Sequence, residues 1–260
     1  MIVHEKRFRP SGAGKRGEVP EKLTVVTRPN PRVARLTLNR PEKHNALSMA
    51  LRREIEKALS DLAADPAVRV VILDGGEGVF CAGYDLPEVH KFGVEAFRHR
   101  YREWYDACYR FPKPMIAAVN GPALAGGFDL ALAADFIIAS HRASFGHPEI
   151  MFAPVAVAPL ARLTSPGYLR RIALSAEILT ADQGLEAGFL HSVVDEGCLN
   201  AKAEDLAALI ASFAPAAVSA TKRAVDQACG LEFCLEADAK EVARMQLSTL
   251  LLQDAGRKRR

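Results

Sequence analysis

Cysteine is scarce and its spacing forms no pairs. The five residues Cys81, Cys108, Cys198, Cys229 and Cys234 are an odd number with no Cys-x-x-Cys among them. That argues against a zinc knuckle or a disulfide framework and fits a reducing compartment. Long apolar runs are missing too. Asp129 and Asp135 break the longest candidate, which leaves nothing near the roughly 20 residues needed to span a bilayer. The N-terminus carries no apolar core of a signal peptide. Excess charge of one sign is also absent: 34 Lys and Arg against 31 Asp and Glu leave +3, too little by itself to imply a nucleic-acid surface. There is no Gly-x-Ser-x-Gly nucleophile elbow, and no spacing suggests a metal site. What remains is the expectation of a soluble cytoplasmic protein of 260 residues, near the size limit for one core.

Both ends are basic. Residues 1–21 are rich in Gly, Pro, Lys and Arg and read as an arm outside the core. Gly12, Gly14 and Gly17 match Gly-x-Gly-x-x-Gly, but Pro10 and Pro20 stand where a strand and a helix would be required. The tail Arg257–Arg260 is a second basic end. Such ends are solvated tails as a rule; the alternative is a non-catalytic scaffold that holds RNA or an acidic partner.

Between the ends, strand and helix patterns alternate. Leu23–Thr27 and Val33–Leu38 read as strands joined by the turn signal Arg28-Pro29-Asn30-Pro31. Leu51, Ile55, Ala58, Leu59 and Leu62 recur at helical spacing, closed by Asp65-Pro66. Val70–Leu73 is a buried strand, and Val94, Phe97, Tyr101, Tyr105 and Cys108 stripe a second helix as core. Met115–Val119 is a strand with Asn120-Gly121-Pro122 as its turn. A helix then opens at Gly126, and Phe136–Ala139 is the next strand. Beyond about residue 158 the chain reads helical, apart from a short strand at Ser192–Val194. A helix over 235–252 has apolar residues on more than one side, as docking on a partner subunit requires. Strands alternating with helices through short links predict parallel pairing, hence an α/β fold. The expected division is the arm, a core over 22–197, and a helical oligomerisation region over 198–260.

Three segments place candidate chemistry at strand-to-helix junctions. "VFCAGYDLPEV" (79–89) and "ALAGGFDLALAAD" (123–135) each present backbone N–H groups that lack intrahelical partners. Two such groups converging on one oxygen make an oxyanion hole, each donor worth roughly 3 kcal/mol of barrier. "SFGHPEI" (144–150) puts Pro148 at a first helical position with Glu149 next, where a carboxylate can serve as general acid or base. Taken singly, Asp129 and Glu149 read better as charges that complement helix N-termini. The conjunction of two donors and two acids favours chemistry. Cys81 and His147 read as packed residues, and His44 as part of a turn with Asn45.

These segments, in this order, resemble the crotonase superfamily, the enoyl-CoA hydratase/isomerase family. The resemblance rests on "VARLTLNRPEKHNALS" (33–48), "FCAGYDLPEV" (80–89), "AAVNGPALAGGFDLALAADFIIAS" (117–140), "SFGHPEI" (144–150) and "LTADQGLEAGFLHSVVD" (179–195). It implies a ββα spiral core, a helical C-terminal trimerisation region, and an acyl-CoA thioester as ligand with no cofactor beyond the substrate's own CoA. A homotrimer or a dimer of trimers is implied as well. On the family's pattern, the backbone N–H groups of Tyr84 and Gly126 form the oxyanion hole, and Asp129 and Glu149 fall on the two catalytic acids. Main-chain groups around Lys43, His44, Ala46 and Ala82 would hold the adenine and pantetheine portions. The activity implied is hydration of an enoyl-CoA, with double-bond isomerisation by Glu149 alone as the alternative and thioester hydrolysis as a further one.

Three departures from that pattern stand out. Position 129 is Asp where the family has Glu, which withdraws the carboxylate by about the ~1.5 Å of one C–C bond. Residues 151–163, "MFAPVAVAPLARL", lack the glycine-rich loop that usually follows the second acid, so a stiffer apolar wall is expected there. The family's last helix is expected to be short.

Overall fold

A computed structural model describes residues 22–88, 91 and 103–231. The arm at 1–21, Val94, Phe97 and Tyr101 of the second helical stripe, the helix expected over 235–252 and the tail Arg257–Arg260 lie outside the described residues.

Six strands form the main sheet: β1 (Thr24–Asn30), β2 (Val33–Leu38), β3 (Val70–Asp74), β4 (Met115–Val119), β6 (Phe136–Ser140) and β9 (Ser192–Val194), in the order β1-β2-β3-β4-β6-β9. The β1–β2 pair is antiparallel and every later pair is parallel. β1 runs on through Arg28, Pro29 and Asn30, residues whose composition reads as a turn. It can do so because it is the sheet's edge, where the missing N–H of a proline costs no ladder bond, and the register shifts between Thr27 and Asn30.

The helical stripe at 51–62 becomes α1 (Met49–Ala64), whose Ser48 cap accepts the Leu51 N–H at 3.1 Å. Leu51, Ile55, Ala58, Leu59 and Leu62 are buried against one face of the sheet. The opposite face is covered by a helix near the chain's end, Leu199–Ser212. It presents Leu199, Ala203, Ala207 and Ala211 at four-residue spacing to Val33, Val70, Ile72, Ile116 and Ile138. Arg35 bolts that helix to the sheet, donating to Asp74 (2.7 Å), Asn200 (3.0 Å) and Glu204 (2.8 Å).

A second, three-stranded sheet stands where the site is built: β5 (Pro122–Leu124), β7 (Ser144–Gly146) and β8 (Leu179–Thr180). Pro122 thus opens a strand instead of closing a turn, and the stretch after 158 contains β8 as well as β9. Strands of three and two residues are too short for alternation to show in sequence. No single described helix is long and apolar enough to cross a membrane.

Candidate active site

From β5 the chain turns sharply at Ala125, which adopts φ 51° and ψ −130°, a region that side-chain-bearing residues rarely occupy. Hydrogen bonds hold it there on both sides. Its N–H donates to Gly146 O (2.9 Å), and its carbonyl accepts from Phe128 N (2.8 Å) and Asp129 N (3.1 Å). The turn launches α2 (Gly126–Leu132), whose first N–H groups have no carbonyl one turn back.

Residues 81–85 lie against this mouth because the two glycines leave room. A Cβ on Gly126 would stand 2.5 Å from the Tyr84 ring, and one on Gly127 would stand 2.2 Å from the Cys81 carbonyl oxygen. On one side the segment is tied to β5: Cys81 N–H donates to Pro122 O (3.1 Å) and Leu124 N–H to Cys81 O (3.0 Å). On the other, Leu47 N–H donates to Gly83 O (2.7 Å). Gly83 itself has φ 97°, open to glycine. The Tyr84 ring is therefore brought against Gly126, and Gly83 lies beside the Gly126 nitrogen.

The Tyr84 ring carries the Arg52 guanidinium 5.5 Å from its centroid, and Arg52 is buried in α1. Burial pushes the Tyr84 phenol well above its ordinary range, and the nearby Asp129 carboxylate adds to the shift. Burial likewise pushes the Cys81 thiol up to about 12, again with Asp129 adding. Iodoacetamide applied to the folded protein at pH 8 is therefore expected to leave Cys81 unmodified while labelling the exposed Cys198. Peptide mapping by mass spectrometry checks this, and early alkylation of Cys81 would contradict it.

Asp129, in the first turn of α2, is only 4% exposed, and the Tyr109 hydroxyl donates to its carbonyl at 2.5 Å. Its Oδ1 lies 3.9 Å from Nε2 of His147. Across the same ring, Nδ1 lies 3.1 Å from Oε1 of Glu149. Glu149 stands second in a 3-10 turn (Pro148–Met151) with Pro148 leading it, as the sequence implies. Its other oxygen, Oε2, is buried and takes no hydrogen bond from a described residue. His147 is fully buried with its ring 5.1 Å from Phe128, which also contacts Phe145 and Phe189. It is the packed histidine the sequence suggests, but it is also the group that joins the two acids.

Lys43, His44 and Ala46 lie in the turn after β2, where His44 and Asn45 both have positive φ. The N–H groups of the four residues proposed for CoA are taken internally: Lys43 to Arg40 O, His44 to Pro41 O, Ala46 to Lys43 O and Ala82 to His44 O. A ligand there would be met by carbonyl oxygens, each of which has a second lone pair. The buried Asn45 fixes this corner, its amide donating to Gly75 O (2.8 Å), Val79 O (3.0 Å) and Phe80 O (3.1 Å). Within the apolar segment after Glu149, Ala156, Ala158, Pro159 and Leu160 are buried, while Met151 and Phe152 are exposed.

The family model described as enoyl-CoA hydratase/isomerase matches residues 28–253. The chain belongs to the enoyl-CoA hydratase/isomerase family. The 2,3-dehydroadipyl-CoA hydratase of Escherichia coli (strain K12) is 35% identical over 225 residues, covering 85% of this chain and 87% of that protein. The short-chain-enoyl-CoA hydratase of Clostridium acetobutylicum is 33% identical over 219 residues, 78% of this chain and 81% of the relative. Among solved structures, an enoyl-CoA hydratase/isomerase from Xanthobacter autotrophicus Py2 superposes with a TM-score of 0.80 at 36% identity, covering 87% of each chain.

As a member of this family the chain is an enoyl-CoA hydratase-like enzyme with a crotonase fold. The structure brings Tyr84, Gly126, Asp129 and Glu149 to one locality and leaves Lys43, His44, Ala46 and Ala82 together at the adjoining corner. Sequence reasoning missed two participants. Arg52 carries no sequence signal beyond its place beside Leu51 in the apolar stripe's own turn. The bridging role of His147 was signalled only by its place two residues before Glu149.

Proposed function

We propose that the enzyme catalyses syn-hydration of a 2-enoyl-CoA, and its reverse. The thioester oxygen sits between the backbone N–H groups of Tyr84 and Gly126. Asp129 and Glu149 hold the water. Glu149 takes a proton from it as its oxygen bonds to the β-carbon, and the π electrons move onto the thioester oxygen as an enolate. The enolate then collapses and the α-carbon receives a proton from Glu149, so that one water is added across the double bond. No cofactor is required beyond the CoA already in the substrate, held by main-chain oxygens around Lys43, His44, Ala46 and Ala82. The observation that carries this reading is a buried acid, Asp129, and a half-buried one, Glu149, whose Oε2 is itself buried, beside one glycine-built helix mouth.

Isomerisation is the second reading, because the shortened acid at 129 leaves Glu149 able to shuttle one proton between carbons alone. Turnover of crotonyl-CoA and of a 3-enoyl-CoA by wild type and Asp129→Ala separates the two. Hydration predicts that wild type consumes crotonyl-CoA and that Asp129→Ala loses at least tenfold in kcat. Full retention of 3-enoyl-CoA isomerisation by Asp129→Ala, with no hydration by wild type, would establish the alternative.

The same reading assigns residues 22–197 to the acyl-CoA-binding core and 198–260 to assembly as a homotrimer or a dimer of trimers. A second C-terminal helix, Pro215–Ala228, supports it, since none of its residues is buried within the chain and Val225 is 53% exposed. A cytoplasmic location agrees with the free thiols of Cys81, Cys108, Cys198 and Cys229.

A further inference from the structure

We infer that His147 is a positioning residue for this reaction: its Nδ1–H fixes one oxygen of Glu149, so that Oε2 is the oxygen presented to water and to the α-carbon. The role rests on the hydration reading above. An ionised carboxylate can only accept, so the 3.1 Å contact between Nδ1 and Glu149 Oε1 requires the hydrogen to be on Nδ1. The ring cannot swing away from that task. It is fully buried, stacked at a tilt against Phe128, and it belongs to the residue that opens the 3-10 turn carrying Glu149.

Glu149 has three side-chain torsions and would otherwise spread its carboxylate over several orientations. The hydrogen bond to Oε1 removes that freedom and leaves the buried Oε2 as the available oxygen. Toward Asp129 the contact is different in kind. At 3.9 Å it is too long for a hydrogen bond, so the ring acts there as a spacer that sets how far apart the two acids stand. Packing alone would need an aromatic ring at 147, but it would need no hydrogen on Nδ1. That difference makes the role testable.

Three variants on crotonyl-CoA decide it. His147→Phe keeps a ring and removes the donor. His147→Asn restores an amide N–H at the same number of bonds from the backbone as Nδ1, whereas His147→Gln carries one at the reach of Nε2. His147→Phe is expected to lower kcat by about 100-fold, the cost of a misplaced catalytic group, with KM changed by less than about threefold. His147→Asn is expected to recover roughly tenfold of that loss and to exceed His147→Gln. If His147→Phe does not fold, judged by circular dichroism and melting temperature, the Asn-over-Gln order still decides. Retention of wild-type kcat by a folded His147→Phe, or equal rates for Asn and Gln, would overturn the role. A wild type inactive on every enoyl-CoA would instead remove the hydration reading, and it shows in the wild-type assay alone.

Discussion

Glu149→Gln is expected to lower kcat for enoyl-CoA hydration by roughly 1000-fold, with KM within about threefold of wild type. Glutamine matches glutamate in shape, and its amide oxygen can still accept from His147 Nδ1, so packing and acyl-CoA binding are retained. What is lost is the ability to take and return a proton at the position now filled by Oε2. Because that oxygen is buried and takes no hydrogen bond from a described residue, no described neighbour stands ready to replace it. The loss should therefore fall on kcat and appear equally in kcat/KM, the pattern of an interaction made only in the transition state. Steady-state loss of the enoyl thioester absorbance measures it. A variant within tenfold of wild type would take Glu149 out of the chemistry.

Gly127→Ala is expected to be strongly destabilising. Its new methyl would stand 2.2 Å from the Cys81 carbonyl oxygen and 2.7 Å from its carbonyl carbon, both main-chain atoms tied down by the bond from Leu124 N–H. Backbone cannot rotate aside as a side-chain tip can. Either α2 or the 81–85 segment must move, at a cost of about 3 kcal/mol, the upper range for overpacking. For a chain of this size that corresponds to a melting temperature lower by roughly 10 °C. Gly126→Ala makes an instructive control, because its methyl meets the Tyr84 ring, a side chain that can shift. Differential scanning calorimetry should rank Gly127→Ala well below Gly126→Ala in stability. The reverse order would mean that the segment at Cys81 yields more easily than its hydrogen bonds imply.

Much of this is legible in the sequence, for identifiable reasons. The strands over 33–38, 70–74, 115–119 and 136–140 are long enough to show as apolar runs, and the helix over 49–64 announces itself by its stripe and its Asp65-Pro66 stop. The junction residues Tyr84, Gly126, Asp129 and Glu149 are local features that short motifs capture. The small sheet is not legible, because its strands are too short to carry a period. Nor is the partnership at position 129. An extra methylene there, directed toward His147, would cut the 3.9 Å separation to about 2.4 Å, closer than a hydrogen bond allows. The shorter acid and the histidine fit one another, a compensation between residues 18 positions apart that no local pattern contains. Asn45 is a similar case: composition places it in a turn, but only the fold shows its amide gathering three carbonyls.

The stretch 81–85 belongs to neither sheet, yet it is laced to both neighbourhoods, to Leu47 beside the main sheet and to β5 of the small one. It adds a main-chain link between two sheets that already share one apolar core. Its hydrogen bonds on both sides fix where Tyr84 meets Gly126, so a change that slides one sheet past the other alters that approach. Substitutions remote from any acyl chain, at the turn around Asn45 or under β7, should then register as changes in turnover without changes in affinity.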